Sequence, residues 1–154
     1  MTVINGTRDG KGLKIGIVTA QFNALVTEKL QAGAIDQLKK YGIVEDDITV
    51  MSVPGAMELP RITKLLASKG SVDGIIALGA VVRGETSHYD YVCSETASGL
   101  ADVSLNGPVP VMFGVLTTDN LDQAINRAGG KGGNKGADCA DGVVEMINLE
   151  RALR

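Results

Sequence analysis

The chain has 154 residues, 44% of them apolar and 21% charged. That is one domain's worth of sequence, long enough to bury about 70% of its unfolded surface without a disulfide or a metal, and the composition excludes disorder as a description of the whole. A net charge of −3, from 15 Lys and Arg against 18 Asp and Glu, leaves no basic excess for gripping a polyanion and argues against a nucleic-acid protein.

The first 12 residues contain no apolar run of the kind a secretory signal needs and read as a loose or pairing arm. No apolar stretch approaches the ~20 residues of a membrane span. Four near-continuous apolar runs follow, at 13–20, 48–53, 74–82 and 109–116. Runs that do not alternate belong to strands covered on both faces, as in a parallel sheet. Between them the spacing turns helical. Residues 24–41 place Leu30, Ala34, Leu38 and Tyr41 on one face, with Gly42 as the stop. Residues 58–69 do the same with Leu59, Ile62, Leu65 and Leu66, and Gly70 ends them. A helix over 88–106 follows a Thr86-Ser87 cap and stops at Asn106-Gly107-Pro108. Helices over 119–128, opened by Asp119, and 135–153, after Asn134, complete the chain.

The order βαβαβαβαα predicts a single α/β domain: a three-layer α/β/α sandwich on a four-stranded parallel sheet of the flavodoxin-like type, with an N-terminal arm from a neighbour as a further strand. Cys93 and Cys139 lack metal-ligand spacing, and His88 is the only histidine, so no metal and no cofactor is expected. Free thiols fit a reducing, cytoplasmic compartment.

In an open α/β sheet ligands bind beyond the carboxyl ends of the strands, so the loops there carry the candidates. The first holds Phe22 and Asn23; a ring after a strand can stack on a heteroaromatic ligand, and a plain core phenylalanine fits the same position. The second holds Ala56, Met57 and Glu58; the carboxylate can accept from ligand hydroxyls or simply complement a helix dipole. The third runs from Arg83 through Glu85, Thr86, Ser87 and His88 to Asp90. Its helix start favours an anion such as phosphate, although Thr86 and Ser87 also serve as a cap, with Asp90 closing a capping box. His88 there reads as a general acid/base near neutral pH, against the alternative of an idle surface histidine. Phe113 lies inside an apolar run and reads first as core. The glycine-rich segment 127–136 carries Arg127, Lys131 and Lys135 without the spacing of a phosphate-binding Walker loop; it is an anion clamp or a flexible connection, with Arg127 serving a helix end.

Taken together, Gln21-Phe22-Asn23, the run Val53-Pro54-Gly55-Ala56-Met57-Glu58-Leu59-Pro60, the run Gly79 to Val92, the run Phe113 to Asp119, and Arg127 to Gly136 resemble the 6,7-dimethyl-8-ribityllumazine synthase family over residues 13–150. The resemblance implies a transferase of riboflavin biosynthesis that condenses 5-amino-6-(D-ribitylamino)uracil with 3,4-dihydroxy-2-butanone 4-phosphate, releasing phosphate and water. It implies that Phe22 stacks on the pyrimidine, that Ala56, Met57 and Glu58 line its pocket, and that Glu58 and Asn23 reach the ribityl hydroxyls. Val81 and Val82 would bond the pyrimidine edge through their backbone. Glu85, Thr86 and Arg127 would hold the phosphate, and Arg83 and Ser87 of the same loop would bind substrate with them. His88 would move protons, Lys135 would contact substrate, and Phe113 would come from a neighbouring subunit. The family assembles as pentamers, in some members as an icosahedral capsid of 60 subunits, with riboflavin synthase as a candidate partner. An aromatic is common in the family where this chain has Met57, and a bulky aromatic where it has Ser52; methionine can still fill an apolar wall. Three other readings stand beside this one: a carrier of flavins or lumazines, a structural shell protein, and a sugar-phosphate isomerase.

Overall fold

A computed structural model describes residues 1–154. The elements follow one another as β1 (Ile15–Ala20), α1 (Ala24–Lys40), β2 (Ile48–Val53), α2 (Leu59–Lys69), β3 (Gly74–Val82), α3 (His88–Asn106), β4 (Val111–Thr118), α4 (Leu121–Asn126), β5 (Ala128–Gly130), β6 (Gly133–Asn134) and α5 (Lys135–Leu153). Strands β1 to β4 form an all-parallel sheet in the order β2-β1-β3-β4. That is the flavodoxin-like order, and the chain reverses its direction of travel across the sheet between β1 and β3.

The two faces of the sheet explain the unbroken apolar runs of β1 and β3; β2 departs from the expectation, because it lies at the sheet edge and buries only Val53. Along β1, Ile15 and Ile17 enter a core with Val26, Leu30, Ala34 and Leu38 of α1 and Ala140, Val143 and Val144 of α5. Val18 and Ala20 enter a second core with Leu59 and Leu66 of α2 and Leu100 and Val103 of α3. Every other residue therefore serves a different layer, and both sets are apolar. Each Val, Leu or Ile among them contributes about 1.5–3 kcal/mol when fully buried. Helices α1 and α5 approach closely at Gly136, where a Cβ would collide with the Leu30 carbonyl oxygen. Asn134 fixes that approach: its Oδ1 accepts from Ala137 N at 3.1 Å, capping α5, and its Nδ2 donates to the Lys29 carbonyl at 3.1 Å.

Several local expectations change. The glycine-rich segment is an antiparallel hairpin of β5 and β6, not a flexible connection. Helix α4 is shorter than the spacing suggests, because Asn120 rather than Asp119 caps it, accepting from Gln123 N at 2.9 Å. Ser87 makes no side-chain cap bond, and the expected capping box is not formed. Thr86 Oγ1 accepts from His88 N at 3.3 Å instead, and the Asp90 carboxylate turns toward Arg83. The arm is seated from Thr7 onward: Asn148 Nδ2 donates to the Thr7 and Asp9 carbonyls at 2.9 Å, Gly10 N donates to the Tyr41 carbonyl at 2.9 Å, and Arg8 pairs with Glu145 and Asp141 of α5.

Candidate functional site

Beyond the carboxyl ends of β1, β2 and β3 lies a cleft of about 470 Å³. Its position is the one the strand order dictates, because the loops after β1 and β3 diverge to opposite faces and leave a crevice. The backbone carries the β1–β2 pairing past the strand end: Gln21 N donates to the Val53 carbonyl at 2.8 Å and Phe22 N to the Pro54 carbonyl at 3.1 Å. Phe22 is thereby held at the mouth, 72% exposed, and lines the cleft. The core reading of Phe22 is excluded.

Ala56, Met57 and Glu58 form a single 3-10 turn leading into α2, with Glu58 N donating to the Gly55 carbonyl at 3.2 Å. All three line the cleft, as do Asn23, Val81, Val82, Thr86 and His88. The candidates from three separate loops thus meet on one surface. His88 opens α3, and the helical period places Val92 one turn below it. Val92, Tyr89, Ala80, Pro54, Gly55 and Gly84 also line the cleft and were not among the candidates. Val92 was legible in principle, since it lies one turn from His88 on the helix that His88 opens.

Arg83, Glu85 and Ser87 sit in the third loop but do not form the cleft wall. The Arg83 side chain folds back over the Tyr89 ring, with Cζ 4.2 Å from the ring centroid, and pairs with Asp119 at 3.3 Å and Asp90 at 3.5 Å. Its guanidinium is held above the ordinary arginine range, chiefly by the Asp119 bond. Burial raises the Tyr89 phenol and the Cys93 thiol above their usual values.

Phe113, Arg127 and Lys135 are not part of the cleft. Phe113 pairs with Ala77, well before the carboxyl end of the sheet, and is 37% exposed at the β4 edge rather than buried in the core. Arg127 follows α4, and its carbonyl accepts from Lys135 N at 2.8 Å, so the β5–β6 hairpin brings these two cations to one base. The cleft itself contains no Lys or Arg. No group of three or more His, Cys, Asp or Glu gathers as metal ligands would.

A parallel sheet of flavodoxin-like order, with an aromatic face, a carboxylate and one histidine around a crevice at its reversal point, is an α/β protein with a small-molecule site. Residues 12–151 match the family described as 6,7-dimethyl-8-ribityllumazine synthase. The chain is 58% identical to the 6,7-dimethyl-8-ribityllumazine synthase of Levilactobacillus brevis over 99% of its own length and 98% of the relative's. It is 56% identical to that of Pediococcus pentosaceus over the same shares. The chain belongs to the 6,7-dimethyl-8-ribityllumazine synthase family, transferases of riboflavin biosynthesis.

Proposed function

We propose that the cleft is half of an active site shared by adjacent protomers, in which 5-amino-6-(D-ribitylamino)uracil condenses with 3,4-dihydroxy-2-butanone 4-phosphate. The observation that carries this reading is the separation of charge from cavity. One protomer offers a stacking ring, apolar walls, Glu58 and His88 but no cation, whereas Arg127 and Lys135 stand together on a hairpin outside it. A phosphate monoester needs cationic partners, so the hairpin of a neighbouring chain supplies them, together with Phe113 from the β4 edge. Exposed Tyr91, Leu65 and Leu105 supply apolar surface for such an assembly. Val3 and Ile4 of the arm are exposed, and β2 leaves one sheet edge open to a neighbour's arm. A pentamer, alone or as part of a 60-subunit capsid able to enclose riboflavin synthase, closes these surfaces, and the free thiols fit a cytoplasmic setting.

The chemistry suits the groups present. Phe22 stacks on the pyrimidine, Glu58 and Asn23 meet the ribityl chain, and the backbone of Val81 and Val82 meets the pyrimidine edge. Thr86, Glu85 and Arg127 locate the phosphate at the start of α3. The amine attacks the ketone and water leaves as the imine forms. Loss of a proton from carbon then expels phosphate, the enol left behind becomes a ketone, and the ribityl-bearing nitrogen attacks that carbonyl and closes the ring as a second water leaves. His88, in the first turn of α3 beside that phosphate position, moves these protons. Holding two reactants in register supplies the larger part of the acceleration. Mixing the two substrates with the protein should yield lumazine absorbance and fluorescence together with one phosphate per product. Product formation from a sugar phosphate without the amine, or none at all, would defeat the reading.

A further inference from the structure

The geometry points to Arg83 as a positioning residue that holds Tyr89, and with it the His88 turn, against the cleft without touching substrate. The inference rests on the cleft being the site of the condensation. Arg83 directly follows β3, and its backbone N donates to the Thr118 carbonyl at 2.8 Å, continuing the β3–β4 register. From that fixed root the side chain reaches three places at once. Its flat face covers Tyr89, Nε donates to Asp119 Oδ1 in the loop after β4, and Nη1 lies 3.5 Å from Asp90 Oδ1 in the first turn of α3.

The segment it spans has little else to hold it. Residues 83–88 are all exposed, and the local bonds of the loop are Thr86 Oγ1 with His88 N and Ser87 carbonyl with Asp90 N. Gly84, Thr86, His88 and Tyr89 all line the cleft. An exposed loop that must present four groups to a substrate needs an anchor, because misplacement by about 1 Å can cost ~100-fold in rate. A planar cation that stacks and donates in two directions fits that task, and lysine would not. Two carboxylates already surround the guanidinium, so an incoming phosphate would meet Asp90 and Asp119 as well as the cation. That arrangement disfavours a direct role in binding the anion.

The test is a double-variant cycle on the full chain in the two-substrate assay. Arg83→Ala should lower kcat about tenfold and leave KM for the phosphate substrate within about threefold, and in a Tyr89→Ala background the same change should cost less than about twofold. Arg83→Lys, which keeps the charge and loses the flat face, should recover only part of the loss. The chain has no Trp and three Tyr, so its near-UV circular dichroism reports tyrosine packing; Arg83→Ala should remove most of the signal that Tyr89→Phe removes. If Arg83→Ala does not fold, Asp119→Asn releases one arm of the tie and should lower kcat about threefold at constant KM. A rise in KM above tenfold with kcat unchanged would make Arg83 a ligand of the substrate, and equal losses in both backgrounds would separate it from Tyr89. An intact tyrosine signal, or wild-type kcat in Asp119→Asn, would equally overturn the assignment. A wild-type chain that forms no product defeats the functional reading instead, a failure visible before any variant is compared.

Discussion

Asn23 donates its side-chain amide to the Ala80 carbonyl at 2.8 Å while its own backbone sits at φ 62°, ψ 46°. One bond thereby joins the turn after β1 to the end of β3, the two sides of the crevice, and Asn23 is the one non-glycine residue with positive φ. Asparagine tolerates this left-handed conformation better than other side chains. The turn fixes where Phe22 emerges. Asn23→Ala loses the bond and strains the backbone, and should cost about 1–3 kcal/mol of stability. Asn23→Gly loses the bond alone and should cost less. Denaturant unfolding of both at one fixed protein concentration checks this; equal costs would mean the conformation carries no strain.

The contact between Gly136 and the Leu30 carbonyl sets a sharper limit. A methyl group there would meet backbone, which cannot rotate away, so α1 and α5 would have to separate. Gly136→Ala should cost roughly 3 kcal/mol or more. Gly70, at the end of α2, has φ 76° and nothing within 4 Å of a built Cβ, so Gly70→Ala should cost only about 1 kcal/mol, the price of the left-handed backbone. Thermal unfolding of the pair orders them, and a Gly136→Ala protein as stable as Gly70→Ala would show that the two helices can part freely.

Strands β1 and β3 were legible because both of their faces are covered; β2, at the sheet edge with only Val53 buried, was legible from its β-branched composition instead. The main loops of the cleft were legible for a related reason: in a parallel sheet the chemistry must follow the strands. Tyr89 and Val92 lie in the motif that carries the resemblance but were not assigned to the site; Tyr89, next to His88 in sequence, points there only because of how α3 is oriented. The capping box is absent because Ser87 has helical rather than extended backbone and the Asp90 carboxylate turns toward Arg83, a tertiary neighbour that local spacing does not reveal. The β5–β6 hairpin was hidden for the opposite reason. Its glycines permit many backbones, and the choice is made by Gly132 N bonding to the Asn126 carbonyl at 2.8 Å and by Arg127 lying across Gly132.

Cys139, buried in the core shared with α1, has its thiol pushed up to about 11 by burial. The folded protein therefore keeps its proton where the unfolded chain, at the ordinary value of 9.0, gives it up. Between these values the unfolded state binds fewer protons, so stability falls as pH rises, by roughly 2–3 kcal/mol across the interval from this residue. Below pH 9 the term vanishes. Unfolding free energies measured from pH 8 to pH 11 should show a smaller decline in Cys139→Ala than in wild type, even though the variant starts less stable. Parallel declines would show that the buried thiol does not contribute.

A site divided between chains makes a stronger demand than any single substitution. His88→Ala should lower kcat about 10- to 100-fold without abolishing turnover, because orientation of the two reactants survives it. Arg127→Ala should chiefly raise KM for the phosphate substrate. Phe22→Asp should disable the cleft half of the site and leave the hairpin half intact, and Arg127→Ala does the reverse. If the halves come from neighbouring protomers, co-assembly of equal amounts of these two variants in a ring creates some sites with both wild-type halves. Random mixing puts such sites at about a quarter of the total. Co-expressed Phe22→Asp and Arg127→Ala chains should then recover about a quarter of wild-type activity, while the two purified variants mixed without subunit exchange should recover none. Activity no higher than the average of the two parents would mean that each chain builds its site alone, and that the hairpin cations reach the cleft of their own protomer.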